Sequence, residues 1–60
     1  MDLDYEILES GRELVEEFYR DHPGLRKDLC TIYTILSDEF GFVCCEGELI
    51  RMGRVILRSV

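Results

Sequence analysis

Three cysteines, a single histidine and thirteen carboxylates are the residues of this 60-residue chain that can do chemistry. Cys44 and Cys45 stand next to each other, directly ahead of Glu46-Gly47. A disulfide between neighbours is unfavourable, because consecutive Cα atoms lie about 3.8 Å apart and disulfides usually need roughly 4.4 Å or more. A tetrahedral zinc site takes about four ligands, commonly with two to four residues between paired cysteines, and only Cys30 and His22 remain to complete one. No such spacing exists, so neither a metal nor another cofactor is expected. An odd number of cysteines leaves no complete disulfide framework within one chain, which fits reduced thiols.

His22 sits beside Asp21 and Pro23, with no serine or cysteine nucleophile motif to activate, so a loop or capping role is the simpler reading. Carboxylates do acid-base work when a sheltered pocket raises one pKa, and a chain this short encloses little volume. Neither Gly11 nor Gly24 belongs to a phosphate-binding glycine pattern. The chain is therefore expected not to be an enzyme.

The elements that must position these residues follow from apolar spacing. From Asp4 to Asp21, Ile7, Leu8, Leu14, Val15, Phe18 and Tyr19 recur at helical intervals, with Gly11 at the remaining inward position. At roughly 100° per residue, Glu6, Glu9, Glu13, Glu16 and Glu17 fall on the opposite side, and Asp4 is the expected N-cap. A rival reading takes "LDYEI" as a strand and starts the helix at the Ser10-x-x-Glu13 capping box. The single helix is preferred because its acidic and apolar faces agree over about four turns. "DHPG" then breaks the pattern. In a second helix Leu25, Leu29, Ile32, Tyr33, Leu36 and Phe40 share a face, with Gly41 placed for a left-handed cap. Phe18, Tyr33 and Phe40 are expected in the core, and Tyr5 beside the acidic face.

Beyond Gly41, "EG" and "MG" read as hairpin turns between three short strands, at 42–45, 48–51 and 54–59. The expected fold is α+β: one domain over residues 1–60, a helical hairpin packed on one face of a three-stranded antiparallel meander. Strand alternation sends Val43, Cys45, Ile50, Val55 and Leu57 toward the helices. It sends Phe42, Cys44, Leu49 and Ile56 outward, together with Arg51, Arg54 and Arg58. That outer face is a candidate homodimer surface, and an alternative reading is a thiol sensor at an exposed Cys44, which would need the nearby arginines to lower its pKa.

Charge is distributed unevenly. Residues 1–40 carry eleven acids against four bases, residues 41–60 two acids against three arginines, and the net charge is -6. Like charges four apart, as in Glu9, Glu13 and Glu17, cost a helix roughly 0.2–0.5 kcal/mol per pair. Arg26 and Lys27 at the start of the second helix and Asp38 and Glu39 at its end oppose the helix dipole. Local rules broken in this way point to function, although an acidic face can also serve solubility alone. A net negative chain repels phosphates, so nucleic acid and anionic membranes are not expected as direct partners. No run approaches the roughly 20 apolar residues of a membrane span, and the acidic start "MDLDYEILE" is unlike a secretory signal. A cytoplasmic protein is expected.

In size and charge the chain resembles small acidic single-domain inhibitors encoded by phages, anti-CRISPR proteins among them, a likeness that brings no motif and no site residue with it. It implies a surface that imitates a nucleic-acid backbone, carried by Glu6, Glu9, Glu13, Glu16, Glu17, Asp38 and Glu39 and directed at a basic nucleic-acid-binding protein or complex, in the host-cell cytoplasm if phage-encoded. The order of elements is also similar to a winged helix, but Arg26 and Lys27 make a weak recognition helix.

Overall fold

Ile7, Leu8, Gly11, Leu14, Val15 and Tyr19 can share one side of the backbone only if it winds as a helix. That helix, α1, spans Tyr5–Asp21 in the computed structural model, which describes residues 5–60. The strand alternative fails from Tyr5 onward, and Ser10 lies inside the helix. The expected N-cap, Asp4, falls outside the described residues. The helix closes with His22 N–H donating to the Phe18 carbonyl at 2.9 Å, and the His22 ring stacks on Phe18 at 5.4 Å.

The second helix, α2, spans Leu29–Phe40 and begins later than its apolar spacing suggested. Asp28 fixes the start: its backbone is extended, and its carboxylate accepts the Thr31 N–H at 2.8 Å. Arg26 and Lys27 therefore belong to the connecting loop and do not oppose the dipole of α2. Arg26 lies 3.5 Å from Asp28, and the Lys27 Nζ sits 5.8 Å from the centre of the Tyr19 ring. The Tyr19 hydroxyl donates to the Arg26 carbonyl at 2.8 Å, which ties the loop to α1. At the other end, Gly41 is right-handed (φ -62°, ψ -19°), against the expected left-handed cap. Glycine is needed there for a different reason, since a Cβ would collide with the Ser37 carbonyl oxygen.

The expected meander is absent. Among the described residues there is no strand, and Glu46–Leu57 form a third helix, α3, so the fold is all-helical and not α+β. Leu49, Met52, Gly53 and Ile56 repeat at three, four and seven, the helical period, and all four are buried. "EG" is the first turn of that helix and "MG" part of its buried stripe. The Glu48 carboxylate accepts the Cys45 N–H at 3.2 Å, half of a capping box with cysteine in place of serine. Glu46 and Glu48 in the first turn and Arg54 in the last agree with the helix dipole.

The outward and inward sets from strand alternation are partly exchanged as a result, with Phe42, Arg51, Arg54 and Arg58 still exposed and Ile50 and Leu57 part-buried. Leu49 and Ile56 lie in the core, whereas Val43 and Val55, expected inside, are exposed. Cys44 is buried and Cys45 exposed, the reverse of expectation, because the tight turn after α2 points Cys44 inward. In that turn the N–H groups of both Val43 and Cys44 donate to the Phe40 carbonyl, at 3.1 and 2.9 Å.

The core takes Val15 and Tyr19 from α1, Ile32, Ile35 and Leu36 from α2, and Leu49, Met52 and Ile56 from α3, with Cys44 beneath the second loop. Gly11 lets α1 approach both partners: a Cβ there would come within 2.8 Å of the Met52 Cε and 3.0 Å of a Leu36 methyl. Phe18, expected inside, is partly exposed, while Tyr33 and Phe40 are half-buried.

Candidate functional site

Because the apolar stripe of α1 faces the other two helices, its glutamates must face away from them. Glu6, Glu13, Glu16 and Glu17 are exposed and Glu9 is partly so. Arg12 divides this face: its guanidinium lies 3.1 Å from Glu16 and 3.9 Å from Glu9, neutralising part of the row. Glu13 and Glu17, one turn apart, form no ion pair with any described residue.

Packing of α2 on α1 then adds what linear sequence does not show. Glu39 and Phe40, in the last turn of α2, meet Ser10, Glu13, Leu14 and Glu17 around an open groove of ≈ 390 Å³. Glu13, Glu17 and Glu39 thus converge from two helices on a patch whose floor is half apolar. Asp38 turns to the neighbouring groove of ≈ 570 Å³, which runs between Phe18, Tyr33, Ile35 and Phe42. Of the seven acids singled out, three come together, two share Arg12, Asp38 joins an apolar groove, and Glu6 sits in the first turn of α1. Asp38 and Glu39 remain at the negative end of the α2 dipole, an unfavourable position that no cation in its last turn relieves.

The arginines expected on an outer sheet face are displayed together, but by another geometry. Arg51 and Arg54 lie on the side of α3 opposite its buried stripe, Arg58 follows as its C-cap four residues on, and all three are exposed. Their expected apolar companions are elsewhere: Leu49 and Ile56 are internal, and Phe42 projects from the second loop with 97% of its surface exposed. The candidate dimer face is therefore dismantled. Burial of Cys44 likewise removes the exposed thiol, leaving Cys30 and Cys45 as the exposed cysteines.

The groups with shifted titration lie at the starts of α2 and α3 and in the last turn of α1, away from the acidic patch. The Thr31 N–H bonded to Asp28 holds its carboxyl below the usual range, with a smaller contribution from Arg26. The Cys45 N–H does the same for Glu48, helped by Arg51. Burial, and then the charge of Asp28, raises the Tyr19 phenol. Among the described residues no group of three histidine, cysteine or acidic side chains is arranged to hold a metal ion. None of the described helices is long and apolar enough to cross a membrane. The bundle measures 34 × 16 × 16 Å, and its grooves are open to solvent.

Comparison with protein-family models, with curated proteins and with solved structures finds no match for this chain.

Proposed function

We propose that the chain is a non-enzymatic binding protein whose acidic surface docks on a basic protein or complex and blocks the place where that partner holds nucleic acid. The convergence of Glu13, Glu17 and Glu39 on one groove, with no cation between them, carries this reading. Charges placed like this repel one another in the free protein, and a basic partner relieves the repulsion on contact. Glu13 and Glu17 rise about 6 Å along the helix, a spacing that suits neighbouring lysine or arginine side chains that would otherwise hold phosphates. Glu6, Glu9, Glu16 and Asp38 extend the surface. An inhibitor of this kind, like the phage-encoded ones it resembles in size and charge, acts in the cytoplasm, that of the host if phage-encoded.

The reading is tested by capture on the immobilised chain with and without the triple change Glu13→Lys, Glu17→Lys and Glu39→Lys. The native surface should retain a basic nucleic-acid-binding protein that excess nucleic acid competes off and that salt releases steeply. Equal retention by the charge-reversed chain refutes it.

A further inference from the structure

The groove beside Asp38 has the features of a socket. Phe42 is 97% exposed and Phe18 40%, so two large apolar side chains meet solvent around one depression. Tyr33 and the buried Ile35 line it, and Thr34, Ser37 and Asp38 complete its polar side. No basic residue is among the lining side chains.

The crest that carries Phe42 is held at both ends. Gly41 N–H donates to the Ser37 carbonyl at 3.0 Å, and the next turn closes on the Phe40 carbonyl. Beyond it, Cys44 is anchored in the core, and the Cys45 N–H is held by Glu48. An aromatic side chain displayed in water on a fixed turn loses little conformational freedom when a partner covers it, which favours association.

We infer that this groove receives a segment of the partner protein that carries a large apolar side chain beside a lysine or arginine. The apolar side chain enters between Phe18, Ile35 and Phe42, and the cation reaches Asp38. Charge decides between this occupant and a second copy of the chain. Two copies facing each other across this groove would juxtapose their Asp38 carboxylates, each on a chain of net charge -6, a like-charge contact that opposes pairing. The inference rests on the proposed docking surface, of which Asp38 is the edge, and it adds the anchoring chemistry.

The test titrates the isotope-labelled full chain with an amphipathic helical peptide of about 15 residues made of leucine and lysine, and with its glutamate counterpart, following backbone amide shifts. The leucine-lysine peptide should move the signals of Phe18 and of residues 33–43 saturably. Phe42→Ser and Asp38→Lys should each weaken its binding about tenfold or more, with circular dichroism unchanged because both side chains are exposed. The inference is overturned if the two peptides bind alike, if Phe42→Ser binds as the native chain does, or if the same amides shift on concentration alone, which would make a second copy the occupant. Failure of the groove is separable from failure of the docking surface. Partner capture lost with the Glu13, Glu17 and Glu39 reversals but kept with Phe42→Ser sinks only the groove. Groove-localised peptide binding that survives while those reversals leave capture intact sinks only the acidic surface.

Discussion

Leu49→Ala and Phe42→Ala should have very unequal consequences for stability, although strand alternation would place the two side chains on one outward face. Leu49 is 3% exposed and packs in the core between the helices, whereas Phe42 is 97% exposed. Removing a buried leucine to the β-carbon costs about 2–5 kcal/mol, from lost burial and from the cavity left behind. At roughly 0.05–0.15 kcal/mol per residue, a chain of this length has about 3–9 kcal/mol of stability in all, so Leu49→Ala takes about a fifth of it or more. Phe42→Ala removes no internal contact and should fall within about 0.5 kcal/mol of the native chain. Urea unfolding followed by helical circular dichroism reads both values from the shift in midpoint at constant slope. Ile56→Val, with an expected cost of about 0.5–1.5 kcal/mol, keeps the core measurable if Leu49→Ala does not fold. Equal small effects at positions 42 and 49 would restore the sheet and refute the placement of α3.

Other expectations follow from single contacts. Gly11→Ala gains about 0.8–1 kcal/mol of helix propensity but must displace the ends of Met52 and Leu36. Both can move, so its net effect should stay within about 1 kcal/mol, while Gly11→Val should cost at least about 2 kcal/mol more; thermal unfolding ranks them. Tyr19→Phe, which deletes the hydrogen bond to the Arg26 carbonyl, should cost about 0.5–1.5 kcal/mol in the same assay. The lowered pKa of Asp28 means that its contribution is complete above the unfolded carboxylate value and is lost as pH falls through the folded one. Asp28→Asn keeps a capping side chain and should flatten that part of the acid limb relative to the native chain; parallel limbs for the two proteins would contradict the cap. Glu13→Lys turns two repulsions, with Glu9 and Glu17, into attractions, so it should raise stability by about 0.8–2 kcal/mol while weakening partner binding.

The first two helices were legible because their apolar spacing persists for three turns or more and their boundaries carry proline, glycine and aspartate. The third was not. Gly47 and Gly53 are poor helix formers that read as hairpin turns, and the apolar runs between them are too short to separate a strand from a helical stripe. What decides in favour of the helix is tertiary: Gly53 is buried where a Cβ would come within 2.9 Å of a Leu29 methyl, so glycine serves close packing of α3 on α2. The signals within the sequence were Glu48 three residues after Cys45, and Leu49, Met52 and Ile56 at three and four. The direction of the α1 glutamates could be read from the helical period alone. The arrival of Glu39 beside Glu13 and Glu17 could not, since it depends on how α2 crosses α1. Nor could the exposure of Phe18, which lies at the edge of its stripe beside the groove that α2 leaves open.

Competition for a captured partner bears most directly on the acidic surface. The partner retained by the native chain, once isolated, should bind either this protein or nucleic acid, so that added duplex or single strand displaces the chain in proportion to its own affinity. The Glu13, Glu17 and Glu39 reversals should abolish retention while leaving helical content unchanged. A partner that holds the chain and nucleic acid together, or that retains the charge-reversed chain equally well, would show that the carboxylates do not occupy a phosphate site.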